Sequence, residues 1–188
     1  QKGQQTSIFT RGSESNHTLV LLNGIAINDQ SSTDGLHDFG QDFVQTIQQI
    51  EVYKGSNGVH FGPNAIAGAI NFITDIDYKN SITLNGYDGN NYVVDGNYTS
   101  VNKNGFHYNI KASKAQSKTN SAIAGGGESD GVNNYQINFN SSKWIKDNLK
   151  FKSTLYSRNT KSDYDGSATD EQGYNSDNSM YAVQSSIE

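Results

Sequence analysis

Cysteine is absent from the 188 residues, which excludes disulfides, thiol catalysis and cysteine-based metal sites. Proline occurs once against 19 glycines, so the chain turns mainly through glycine. No apolar run approaches the roughly 20 residues that an α-helical membrane span requires, and an inner-membrane helix is excluded. The net charge of −5 is spread along the chain with no basic stripe, which argues against a nucleic-acid partner. Hydrophobic residues make up only 33%, yet aromatic residues reach 11%. A disordered chain is poor in aromatics, so the low hydrophobicity has another cause. A sheet closed into a transmembrane barrel supplies one, because only alternate residues of its strands meet lipid.

What is present is organised around residues 50–74. Ile50 and Val52 alternate with Glu51 and Tyr53 in an expected strand. The chain breaks at Gly55, turns through Gly58, Gly62 and Pro63, and returns as an apolar strand over 69–73. Upstream stand Phe9-Thr10-Arg11-Gly12 and Leu19-Val20-Leu21-Leu22-Asn23-Gly24. These three ordered motifs resemble the plug domain of TonB-dependent outer-membrane receptors. That family typically carries Ile-Arg-Gly, then Val-Leu-Ile-Asp-Gly-Val, then a Glu-Val-X-Arg-Gly-Pro segment leading into Ala-Ile-Gly-Gly-Val-Ile-Asn-Ile-Ile-Thr. Lys54 stands where the family usually has arginine, giving a point charge in place of a bidentate fork.

In chain order, residues 6–10 read as a short strand ending at Arg11-Gly12, and 13–16 as a polar loop. The run Thr18 to Leu22 suits a strand covered on both faces, with Asn23-Gly24 as its turn and a partner strand at Ile25 and Ile27. Residues 29–40 turn polar, an exposed loop by composition. Phe43, Val44 and Ile47 follow at helical spacing, enough for one or two turns. The glycine-bearing crossover lacks the Gly-Lys-Ser/Thr ending of a phosphate loop. His17, His37, His60 and His107 never pair at i, i+4 as a helical zinc site needs, and read as polar loop or lumen side chains. Arg11, Glu51 and Lys54 could form a charge network, but a solvated surface pair is the commoner outcome and no site is assigned to them.

After Asp75 the period changes to two. Apolar residues alternate with polar ones around Ile82–Leu84, Tyr92–Val94, Phe106–Ala112, Tyr135–Phe139 and Leu149–Leu155, and a last strand is expected near Met180. Connections at 102–105 and 145–148 are tight, whereas those at 118–132 and 160–178 are long. In an up-and-down barrel alternate connections lie on one side, so short turns would be periplasmic and long loops extracellular. The short link at 88–91 is the exception. Tyr87, Tyr92, Tyr98, Tyr135, Trp144, Tyr156 and Tyr181 fall near strand ends, as aromatic girdles do.

The two long loops are acidic. One holds Glu128 and Asp130 among glycines, the other Asp163, Tyr164, Asp165 and later Asp177. Calcium takes six to eight hard oxygen ligands, which clustered carboxylates on neighbouring loops can supply; solvated loop tips are the bland alternative. The family's cobalamin receptor has an acidic pair ending in Asp-Gly in the first loop and Tyr-Asp followed by Asp in the second, where they bind calcium. Glu128, Asp130, Tyr164, Asp165 and Asp177 resemble that set. The segment Thr6-Ser7-Ile8-Phe9-Thr10-Arg11-Gly12 with His17 is likewise similar to the cobalamin receptor's Ser-Ser-Ile-Phe-Ile-Arg-Gly and its following histidine.

The resemblance implies an α+β plug domain over 1–77, its N-terminus missing, followed over 78–188 by the first antiparallel strands of a transmembrane β-barrel. Gln1 in first position and Glu188 inside a strand pattern read as a piece cut at both ends, without the segment that contacts TonB. The implied function is TonB-dependent import of a scarce nutrient, cobalamin first and a ferric siderophore as the alternative. No enzyme activity is expected. The place is the outer membrane of a Gram-negative bacterium, with the plug inside the barrel and lipid around it. Candidate ligand contacts are Ser13, Asn16 and His17, then Asp29, Ser31, Ser32 and Asp34, then Asn57 and Asn64. The rivals are a secreted β-rich adhesin or glycan-binding module and, more remotely, a hydrolase built on scattered acids.

Overall fold

A computed structural model describes residues 5–29, 33–75, 78–88, 90–118, 130–163 and 175–188. They divide into two compact units, Gln5–Asp75 and Ile76–Glu188.

The first unit is a four-stranded mixed sheet in the order β2-β1-β4-β3, made of β1 (Thr18–Leu22), β2 (Ile25–Ala26), β3 (Gln49–Lys54) and β4 (Gly68–Ile73). Every residue of β1 is buried, as its unbroken apolar run requires of a central strand. Asn23 and Gly24 both have positive φ, the mirror-image turn that fits strand twist, and they join β1 to antiparallel β2. β1 pairs with β4 in parallel, and β3 covers the far edge of β4 antiparallel. Leu19, Leu21, Ala65 and Ala69 form a core on one face, with Tyr53 and Phe61 packed on it.

Three expectations for this unit are corrected. Residues 6–10 form no strand, because Thr6 spends its backbone elsewhere: its N–H donates to Asp38 Oδ1 (2.8 Å) and its carbonyl accepts from Phe39 N–H (3.0 Å). The helical spacing at 43–47 yields one 3-10 turn, Val44–Thr46, in which Thr46 is buried and Val44 exposed. The β-branched residues crowd an α-turn, and a lone i to i+3 bond from Ile47 N–H to Val44 O closes it. The crossover is a further 3-10 helix, Gly55–Phe61, flanked by positive φ at Gly55 and Gly62. Along β3, Gln49, Ile50, Val52 and Lys54 are exposed, while Glu51 and Tyr53 are half-buried and Tyr53 packs on the core.

The second unit is an antiparallel sheet of six strands in chain order: β5 (Ser81–Asp88), β6 (Asn91–Val101), β7 (Phe106–Lys118), β8 (Gly131–Lys146), β9 (Leu149–Asp163) and β10 (Asn175–Ile187). The sheet is open, with β5 and β10 at its edges. The strands outrun the expected apolar cores, and β10 starts at Asn175, five residues before Met180. Asp177 therefore lies in a strand, not in the loop where the sequence pattern placed it. Ladder neighbours extend strands over Asn, Ser and Asp runs that disfavour them in isolation.

The two faces of this sheet have inverted polarity. Gln136 is 1% exposed and its neighbour Ile137 is 57% exposed. Asn109, Lys111, Ser113, Asn134, Asn138, Asn140, Arg158 and Thr160 are buried on one face. On the other, Tyr98, Ile110, Phe139, Leu155 and Val183 stand opposite one another as a continuous cross-strand rung. Ile82, Leu84, Val94 and Tyr181 extend this exposed apolar face. Toward the end that carries residues 119–129 and 164–174, it gives way to Asn159, Lys161 and Asp163. At that boundary Lys114 Nζ lies 5.5 Å from the Tyr92 ring centroid and 5.4 Å from that of Tyr135.

Candidate functional site

The parallel pairing of β1 with β4 decides where the nominated loops go. The N-terminal ends of β1 and β4, the C-terminal end of β3 and the exit from β2 all lie at one end of the small sheet. Residues 13–17, 27–29, 33–35 and 55–67 therefore emerge together. Backbone and side-chain bonds link them: Ala67 N–H donates to His17 O (3.0 Å), and Asn28 Nδ2 donates to both Thr18 O (3.2 Å) and Gly35 O (3.0 Å). The Arg11 guanidinium lies over Gly55, where an added Cβ would stand 2.7 Å from one of its nitrogens.

Within the first loop, Ser15–His17 form a 3-10 turn directly before β1. Ser13, Asn16 and His17 are half-buried. Asn16 Oδ1 is shielded and has no hydrogen-bond partner among the described residues. Such an acceptor is costly unless a donor meets it.

In the second loop Asp29 and Asp34 are exposed, and Ser31 and Ser32 lie outside the described residues. Its base is tightly held. Asn28 Oδ1 accepts from Val20 N–H (2.7 Å), so this side chain continues the ladder after β2 ends. His37 is buried, with Nε2 at 2.6 Å from Asp42 Oδ2 and Nδ1 at 3.2 Å from Ile27 O. This corrects the reading of His37 as a polar loop side chain: it is an internal tie between loop and sheet. Asp38 accepts from Gly40 N–H (2.9 Å) as an N-cap and also from Thr6 N–H, as described above.

The third loop exposes Asn57, Val59, His60, Asn64 and Ile66 around a buried base of Gly58, Ala65 and Ala67. Below it, the Tyr53 hydroxyl donates to Glu51 Oε2 (2.7 Å), which also accepts from Asn71 Nδ2 (3.1 Å). The bond to Glu51 holds the Tyr53 phenol above its ordinary range, and burial and the carboxylate's charge push the same way. Arg11, Glu51 and Lys54 form no ion pair with one another among the described residues.

Of the nominated calcium ligands, Glu128, Tyr164 and Asp165 lie outside the described residues. Asp130 is buried at the start of β8. Asp177 pairs with Lys161 Nζ (3.0 Å) and accepts from Asn159 Nδ2 (2.8 Å). Asp163 Oδ2 lies near Gly131, next to Asp130, at the same end of the sheet. Among the described residues no three His, Cys, Asp or Glu side chains group closely enough to hold a metal ion.

Sequence reasoning missed Asn28, Asp38 and the His37–Asp42 tie. Asp38 two residues before Gly40 is the one local signal that could have pointed to a turn-capping side chain.

Residues 1–69 match the family model of the TonB-dependent receptor plug domain. Among solved structures, the chain is similar to the siderophore receptor PirA from Acinetobacter baumannii, at 18% identity and a TM-score of 0.68, covering 93% of this chain and 30% of that one. A ferric enterobactin receptor mutant (PfeA) from Pseudomonas aeruginosa, in complex with enterobactin, matches at 16% identity and a TM-score of 0.62, over 81% of this chain and 26% of that one. The siderophore receptor PiuA from A. baumannii matches at 19% identity and a TM-score of 0.58, over 85% and 22%. At these identities the likeness is one of fold, and the chain spans less than a third of the length of each. The fold is a plug domain followed by antiparallel strands, as in the N-terminal part of TonB-dependent receptors.

Proposed function

We propose that this chain is the plug and the first six barrel strands of a TonB-dependent outer-membrane receptor that imports a ferric siderophore. The observation that carries the reading is the agreement of the whole arrangement, small mixed sheet then meander, with siderophore receptors over most of the chain. The exposed apolar face of the meander then meets lipid, and its polar face belongs to the lumen. The three converging plug loops supply the ligand contacts, with Ser13, Asn16 and His17, then Asp29, Ser31, Ser32 and Asp34, then Asn57 and Asn64. TonB would rearrange the plug, and no bond of the ligand is made or broken.

Cobalamin is the second reading, favoured by the likeness of residues 6–17 to the cobalamin receptor's segment. It carries calcium with it, held by Glu128, Asp130, Tyr164, Asp165 and Asp177; the engagement of Asp177 by Lys161 weighs against that residue as a ligand. Equilibrium binding to the intact receptor in detergent separates the two. Tight binding of a ferric siderophore, insensitive to chelator and weakened by substitution of Asn16 or Asn64, supports the first reading. Cobalamin binding that a calcium chelator weakens replaces it with the second, and binding of neither ligand refutes both.

A further inference from the structure

The polar face of the six-stranded sheet carries a side-chain cluster that binding at the plug loops does not use. Two neighbouring rungs make it up. On one, Lys111 of β7 stands opposite Asn138 of β8 and then Tyr156 of β9; on the next, Ser113 stands opposite Gln136 and then Arg158. All six are buried, Asn138 completely so. Neither Oδ1 nor Nδ2 of Asn138 has a hydrogen-bond partner among the described residues, and the same holds for Ser113 Oγ. Shielded polar atoms are nearly always paired in folded proteins, so three unmet atoms in one cluster point to a partner from outside the fold. The charge here is mostly cationic. Lys111 and Arg158 lie two strands apart, about 10 Å across the sheet. Arg158 is oriented by Nη2, which donates to Asn178 Oδ1 on β10 (3.1 Å). The flanking rungs, through Asn109–Asn140 and Ala115–Asn134, carry no charged residue, and Asp95 opposite Ser113 is the one carboxylate on the two rungs among the described residues.

We propose that this cluster is a transit site for an anionic ferric catecholate, held here after it leaves the plug loops and before it is released. The inference rests on the siderophore reading, on which the polar face belongs to the lumen that the ligand crosses once the plug is rearranged. A ferric tris-catecholate is anionic because its phenolate oxygens together outweigh the charge of the iron, whereas a ferric trihydroxamate is neutral. Lys111 and Arg158 offer charge-assisted hydrogen bonds to those oxygens, and Asn138 Nδ2 and Ser113 Oγ add neutral donors between them. Contacts spread over several side chains hold a passing ligand strongly enough to draw it in and weakly enough to let it go.

The test uses the intact protein in cells and sets uptake of radioactive iron against equilibrium binding, with ferric enterobactin as the catecholate probe and ferrichrome as the neutral trihydroxamate. The expected result is import of ferric enterobactin, slowed severalfold in Asn138→Asp and in a Lys111→Gln, Arg158→Gln double variant while equilibrium binding holds. Asn138→Asp is nearly isosteric and sets a like charge against the ligand. Lys114→Gln, on the opposite face, is the control and should import at the unmutated rate. Unchanged uptake in both variants, or binding lost in step with uptake, overturns the proposal and leaves the siderophore reading standing. Import of ferrichrome alone does the same. Import of neither complex overturns both.

Discussion

Replacing Gly68 with alanine tests the close approach on which the plug sheet depends. Gly68 opens β4 with φ at +138°, a conformation that L side chains rarely adopt, and it pairs with Lys54 at the end of β3. A Cβ there would overlap the Tyr53 carbonyl oxygen. The obstacle is backbone, so no rotamer change relieves it. Backbone strain of this kind costs about 1–3 kcal/mol, and overpacking costs about 1–3 kcal/mol more. The relief available is to part β3 from β4, which also pulls Tyr53 off Phe61 and Glu51 off Asn71. The assay is amide hydrogen exchange across β3 and β4 in the intact protein. A cost of about 2 kcal/mol or more lowers protection there by over tenfold, since about 1.4 kcal/mol is a factor of ten. Gly86→Ala is the control, because nothing lies within 4 Å of its added Cβ. If Gly68→Ala exchanged like the control, the close-approach argument would be wrong.

Asn28→Asp keeps an acceptor for Val20 N–H and loses the donors to Thr18 O and Gly35 O, at about 1–3 kcal/mol. Exchange should quicken at 35–38 while Val20 stays protected; equal loss at both would show general unfolding instead. Asp38→Ala removes an N-cap, worth about 0.5–2 kcal/mol, along with the acceptor for Thr6. Proteolytic cleavage should then move into 5–10, and an unchanged fragment pattern would rule out the tether. For Tyr53, the folded state holds the neutral phenol with a raised pKa. Its contribution is fully present below the unfolded value of about 10 and is lost as pH rises through the folded value. Alkaline titration of stability should therefore steepen in the unmutated protein relative to Tyr53→Phe, and superimposable curves would remove the Glu51 bond from the account.

Much of the fold was legible because it is written locally. The five-residue apolar run gave β1, Asn23-Gly24 gave its turn, and period-two alternation gave all six strands of the meander. What stayed hidden depends on distant partners. Thr6 looks like a strand residue until Asp38 takes its N–H, and Asn175 to Asn178 look like loop until β9 pairs with them. The site divides in the same way. Each loop could be nominated by composition, but their convergence follows from β1 running parallel to β4, and no local pattern specifies that pairing.

Alternation says that two faces differ without saying which one meets water, and the two units of this chain answer oppositely. In the plug, Leu19, Val20, Leu21 and Leu22 are buried and the loop carboxylates Asp29 and Asp34 are exposed, as water demands. In the meander, Asn134, Gln136 and Asn138 are buried while Tyr135, Ile137 and Leu155 are exposed. A soluble sandwich built on the same alternation turns its apolar rungs inward to a second sheet. The apolar rungs here run across five strands with aromatics and lysines at their margins, the order that the proposed membrane-spanning reading expects. A carboxylate placed mid-band separates the cases: Ile137→Asp should be tolerated by a water-exposed sheet. On the membrane reading it should sharply lower the yield of folded protein, while Asn159→Asp, beyond the band, should not.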